Sequence, residues 1–147
     1  MEDQFKHGQF NWCELMTNDV DAAKNFYTKL FGWKTENMSI PGMAYTVVKV
    51  GGEGIGGIMG IPENAKGMPP MWTIYVTVDD VDKIAKNVQK LGGKLHMPPT
   101  DIPTVGRFCV IQDPQGAFIN AITYLKIIIA QIPMFTGVHR GNWNAGK

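Results

Sequence analysis

Thr17-Asn18-Asp19-Val20-Asp21-Ala22-Ala23-Lys24-Asn25-Phe26-Tyr27-Thr28-Lys29-Leu30-Phe31-Gly32 decides the fold, because the chain writes it twice. Sixty-one residues on, Val78-Asp79-Asp80-Val81-Asp82 through Lys90-Leu91-Gly92-Gly93 repeats it, with six of sixteen aligned positions identical. The identities are Asp19/Asp80, Val20/Val81, Asp21/Asp82, Lys29/Lys90, Leu30/Leu91 and Gly32/Gly93. Each copy reads as a helix with a polar N-cap, an apolar stripe and a glycine stop. In the first copy Asn18 or Asp19 caps, and the stripe is Val20, Ala23, Phe26, Tyr27 and Leu30. In the second the stripe is Val81, Ile84, Ala85, Val88 and Leu91. A repeat present only twice predicts one paired domain, since a solenoid needs about three or more units. Two similar halves can curl round a shared cleft.

Strands flank each helix. Over 8–16, alternation puts Phe10, Trp12, Glu14 and Met16 on one face and Asn11, Cys13 and Leu15 on the other. Strands follow at 33–37, 44–50 and 55–61, with Gly51-Gly52 turning between the last two. The segment 62–71, rich in Pro, Gly and polar residues, is the linker. The second half repeats the order with strands at 72–78, 94–97, 106–112 and 117–123, and Asp113-Pro114-Gln115-Gly116 marks a turn. The expected class is α+β: two βαβββ modules in tandem, forming a cleft of paired incomplete barrels. The domain covers 1–124, with module one at 8–61 and module two at 72–124, and 125–147 is a C-terminal extension.

Composition narrows the partners. The formal net charge is +1 with no basic block, which argues against nucleic acid. No apolar run reaches the roughly 20 residues a bilayer requires, so no membrane is expected. Cys13 and Cys109 lack paired spacing and read as reduced, buried small residues of a cytoplasmic protein. Gly52-x-Gly54-x-x-Gly57 fits a dinucleotide fingerprint but has no helix after it, so it reads as a hairpin.

The order of elements and the local sequences together resemble the vicinal-oxygen-chelate superfamily of glyoxalase I, bleomycin and fosfomycin resistance proteins and extradiol dioxygenases. The residues that carry the resemblance are Glu14-Leu15, Asn18 to Ala23, Phe26-Tyr27 and Leu30-Phe31-Gly32-Trp33. In the second half they are Val78 to Asp82, Leu91-Gly92-Gly93 and Asp113 to Gly116. The resemblance covers roughly 8–124 and is specific for the fold, not for a reaction. In the metal-dependent members that the chain resembles, a divalent ion sits in the cleft, held by His or Glu on the first and last strands of each module.

Those ligand positions are filled by other residue types. Seven residues before the helix-opening Asp stand Trp12 and Thr73, and four after the last-turn glycine stands Asn120. The matching first-half position falls near Ile58 to Gly60. A divalent ion wants imidazole, thiolate or carboxylate, so no metal and no other cofactor is expected. His7, His96 and His139 lie in separate segments without ligand spacing.

Without the ion, the cleft face reads as an aromatic-walled small-molecule pocket. Glu14 and Tyr75 are the candidate catalytic residues: Glu14 as a desolvated general base, Tyr75 as a proton donor or orienting group. Trp12, Met16, Thr73, Thr77, Phe118 and Asn120 are the candidate ligand contacts. The alternative for Glu14 is pairing with Arg107 or Lys49, or facing water. The expected function is binding of a small organic molecule without the superfamily metal. The alternative is a glyoxalase-like lyase or isomerase, or a dioxygenase-related enzyme, using Glu14 as base with a non-standard metal site. The apolar run from Lys126 to Ile132 is β-prone, and with it a homodimer is expected, the tail packing on the outer face or on a second subunit.

Overall fold

The computed structural model describes residues 5–126. Module one comprises β1 (Phe10–Thr17), α1 (Val20–Phe31), β2 (Lys34–Ile40), β3 (Met43–Val50) and β4 (Glu53–Gly60). Module two comprises β5 (Met71–Thr77), α2 (Val81–Val88), β6 (Lys94–Ile102), β7 (Gly106–Gln112) and β8 (Phe118–Tyr124). The α+β class and the tandem βαβββ order are as the repeat predicts.

Asp19 caps α1 by accepting from the Ala22 amide, and Gly32 ends it in the left-handed region at φ 70°. Asp80 caps α2, its Oδ1 accepting from the Asp82 and Lys83 amides at 3.0 and 3.1 Å. Asp80→Ala leaves both amides without that acceptor and is expected to lower stability by about 0.5–2 kcal/mol, read by denaturant unfolding.

All eight strands join one sheet in the order β2-β3-β4-β1-β5-β8-β7-β6. Each module closes by a parallel pair, β1 with β4 and β5 with β8. The modules meet through the antiparallel pair β1 and β5. In that pair Cys13 lies opposite Ile74, its own counterpart 61 residues on, so a local twofold passes between them. The registers on either side are therefore crossed. Trp12 faces Tyr75, the counterpart of Glu14, and Glu14 faces Thr73, the counterpart of Trp12.

Apolar burial is divided between the two sheet faces. α1 covers Leu15, Val48 and Ile58, and α2 covers Cys109 and Ala121. On the opposite face Trp12, Tyr45, Val47, Tyr75 and Ile122 form a third cluster. Residues of both edge strands reach it, Met38 from β2 and Ile102 from β6. The sheet thus curls until its two ends approach the same hollow.

Three local expectations are corrected. The α1 stripe is only partly covered: Val20, Ala23 and Tyr27 pack inward, but Phe26 and Leu30 are each 57% exposed. The contact with the sheet is narrower than the apolar arc. The strand expected to stop at Met97 runs on through Pro98-Pro99 to Ile102. It can do so because β6 is an edge strand, where a missing amide breaks few ladder bonds. Cys13 is exposed, not buried. It sits on the seam between the modules, where neither helix reaches, beside the part-exposed Ile74. The expectation for the tail beyond residue 126 lies outside the described residues.

Candidate functional site

Alternation aims Trp12 and Glu14 from β1, and Tyr75 from β5, at the concave face. Tyr45 reaches the same place from β3, because β4 offers no side chain there. Gly57 lies directly opposite Glu14 in the β1–β4 pair. A Cβ on Gly57 would sit 1.9 Å from the Tyr45 hydroxyl and 2.2 Å from the ring carbon that bears it. The glycine is the space the tyrosine occupies.

The four side chains form a bonded chain. Trp12 Nε1–H donates to Tyr45 Oη at 2.7 Å, and Tyr45 Oη–H donates to Glu14 Oε2 at 2.8 Å. Tyr75 Oη–H donates to Glu14 Oε1 at 2.9 Å. Each carboxylate oxygen thus carries one tyrosine proton. The side chain of Glu14 neither faces water nor meets a basic residue, and Glu14 is 7% exposed. Arg107 instead pairs with Asp82 and Asp101 at 3.0 Å each, and Lys49 pairs with Glu36. Burial drives the Glu14 pKa above its ordinary value, and the two tyrosine hydrogen bonds only partly oppose this. Burial and the Glu14 charge drive both tyrosines well above theirs.

These groups line a cavity of about 60 Å³. Tyr124 and Ile122 of β8 close one side. Met38, Ile40, Met43, Ile102 and Val105 complete an apolar wall. A broader groove of about 500 Å³ runs past Asp80, Asp82, Asp101 and Arg107 on module two. Its arginine pairs with Asp82 and Asp101, Asp80 caps α2, and none of the site residues expected from sequence lines it.

Of the expected residues, Trp12, Glu14 and Tyr75 come together at this cavity. Met16, Thr73, Thr77, Phe118 and Asn120 do not line it. Thr73 and Asn120 bond each other, Asn120 Nδ2 donating to Thr73 Oγ1 at 3.3 Å, which seals the sheet face beside Glu14. Phe118 packs on His96 with ring centroids 4.8 Å apart, towards the far edge of module two. Thr77 Oγ1 is buried with no hydrogen-bond partner among the described residues. Sharing a face did not suffice, because the cavity occupies only one end of it. The first-half counterpart of Asn120 is Gly57, one residue before the 58–60 window expected: Gly57 faces Glu14 as Asn120 faces Tyr75. Tyr45 and Tyr124 were missed. Alternation places Tyr45 with Val47 on one face of β3, but only the strand order brings that face over Glu14.

The donors around Glu14 do not suit the superfamily's divalent ion. Trp12, Thr73, Asn120 and Gly57 hold the expected ligand positions, and Glu14 is a single carboxylate with tyrosines and a tryptophan as its neighbours, which does not make a divalent-ion site. Among the described residues no group of three or more His, Cys, Asp or Glu could hold a metal. His7 accepts from the Asp79 amide and His96 bonds Gln112, far apart in the sheet.

The raised Glu14 pKa has a consequence for stability. A carboxyl whose folded pKa exceeds the unfolded value of about 4.5 binds its proton more tightly in the folded state. Its stabilising contribution is full below that value and is lost as pH rises through the folded pKa. Glu14→Gln removes this loss. The Tm of the variant relative to the parent is therefore expected to climb from acid to neutral pH, as followed by thermal unfolding; a flat difference would show an unshifted carboxyl.

This paired-module fold, with its cavity over the concave face of β1 and β5, is that of the Glyoxalase/Bleomycin resistance protein/Dioxygenase superfamily. The chain belongs to it: residues 9–120 match the family. It is 41% identical over 120 residues to "Putative glyoxylase CFP32" of Mycobacterium tuberculosis, a match over 80% of this chain and 46% of that protein. It is 35% identical over 127 residues to "Anthracycline biosynthesis protein DnrV" of Streptomyces peucetius, over 78% of this chain and 46% of that protein. The chain thus spans about half the length of these relatives. Among solved structures, methylmalonyl-CoA epimerase from Mycobacterium tuberculosis superposes with a TM-score of 0.59 at 16% identity. That match covers 88% of this chain and 96% of the epimerase, and it is a likeness of fold.

Proposed function

We propose that the cleft binds a small organic molecule, with Glu14 as its polar anchor, and that it does so without the superfamily's metal ion. The carrying observation is a buried carboxylate held by two tyrosines at the wall of an otherwise apolar cavity. That is the makeup of a ligand pocket: apolar walls for affinity, few polar groups for orientation. The test is NMR titration of the full chain with a set of small neutral, cationic and anionic fragments. Shifts confined to Tyr45, Tyr75 and Ile122, unchanged by a chelator, are the expected result. Shifts elsewhere, or shifts that need added zinc, would overturn the reading.

A second reading is proton transfer, and the raised Glu14 pKa favours it. A base works best when its pKa lies near the operating pH, and burial moves this carboxyl in that direction. The glyoxylase named among the relatives and the epimerase among the fold neighbours are compatible with such chemistry. Activity on a substrate with an acidic C–H would rise with pH through the Glu14 pKa and vanish in Glu14→Gln. A variant as active as the parent would remove this reading. Homodimerisation also belongs to the proposal, supported by the exposed Phe26, Leu30 and Phe31 of α1; a monomer at micromolar concentration in size measurement would end it.

A further inference from the structure

A buried carboxylate normally has a cation beside it, because desolvating a lone charge is costly. Glu14 has none among the described residues. No Lys, Arg or His among them lines its cavity, and the two partners considered for it from sequence, Arg107 and Lys49, are bonded to other acids. The polarity of the wall points the same way. Tyr45 and Tyr75 both direct their hydroxyl protons at Glu14, Trp12 directs its N–H at Tyr45, and Tyr124 donates to Asn11 Oδ1. The hydrogen-bond donors of these four rings are thus turned into the wall. What is turned towards a guest is the carboxylate, oxygen lone pairs and the π faces of Tyr45 and Tyr75. An anion would meet a like charge with no donor to receive it. A cation would meet a carboxylate and aromatic faces, each of which attracts it.

We propose that the cavity receives the ammonium head of an alkylamine, paired with Glu14 and walled by Trp12, Tyr45, Tyr75 and Tyr124. This rests on the cleft-binding reading and names its ligand class. The size agrees. A cavity of about 60 Å³ exceeds the roughly 10–15 Å³ that admits one water and falls well below the roughly 150 Å³ that takes benzene. It fits a –CH2–NH3+ group and the start of an apolar stem. The stem then runs along Met38, Ile40 and Met43, two of them thioethers that repack easily.

The experiment is NMR titration of the full chain with three probes of equal length: n-butylammonium, 1-butanol and butanoate. The expected result is that n-butylammonium shifts the Ile40 and Ile122 methyl signals with an affinity about tenfold or more above that of 1-butanol, and that butanoate does not bind. In Glu14→Gln the preference for the cation should disappear. Should 1-butanol bind as tightly, or butanoate more tightly, at those same methyls, the cation proposal falls while the cleft still binds ligands. Should no probe move them, both readings fall. The ranking on the unmodified protein decides the matter even if Glu14→Gln fails to fold.

Discussion

Gly57→Ala is expected to pull Tyr45 away from Glu14 and to destabilise the protein by about 3–5 kcal/mol, combining overpacking of about 1–3 kcal/mol with loss of a charge-assisted hydrogen bond. The added methyl would lie 1.9 Å from Tyr45 Oη and 2.6 Å from a ring carbon, so removing the hydroxyl alone cannot relieve it. The ring itself has to move. It is buried at 8% exposure and wedged by Trp12 and Val47, so its movement breaks both the Trp12 and the Glu14 bonds. The check is denaturant unfolding of Gly57→Ala, Tyr45→Ala and the double variant. Because both changes act on one contact, the double variant should be clearly less destabilised than the sum. Additive losses would mean that the tyrosine does not occupy the glycine's space. Ligand binding in the cleft should fail in Gly57→Ala, because the carboxylate loses one of its two tyrosines.

Ile58→Ala, one residue along, is expected to cost about 2–5 kcal/mol by a different route. Ile58 points to the other face of β4, is 1% exposed, and packs with Leu15 and Val48 beneath α1. The lost carbons leave a void that the flanking strands β3 and β1 cannot close, since each is paired on both sides. Denaturant unfolding should show a lower midpoint with an unchanged slope. The cleft should keep its affinity for any ligand under conditions where the variant is folded. A loss below 1 kcal/mol would show that α1 settles into the gap, which its partly exposed stripe makes the main alternative.

These two neighbours show what could be read before the structure. Alternation along β4 and the helix stripes are local, and so are the Asp19 and Asp80 caps and the Gly32 stop. Each depends only on residues a few positions apart, and a helix over about 20–31 was legible from them. The repeat carried the topology, because two copies of one unit have to satisfy the same strand order. Glu14 and Tyr75 were recognisable as candidates for the same reason: they hold equivalent places on a face that the pattern marks as inward. Tyr45 and Gly57 were not. Their pairing depends on β3 and β4 lying beside β1 in one register, which no spacing in the chain encodes.

By itself, the sequence determined two βαβββ modules and the face that each strand turns inward. Only the tertiary structure decided which inward residues meet. The crossed register about Cys13 and Ile74 brings Tyr75 to Glu14, the bare backbone at Gly57 admits Tyr45, and Arg107 is drawn off to Asp82 and Asp101. The physical reason is that side-chain period is a property of one strand, whereas register and neighbour are set by packing between segments far apart in the chain.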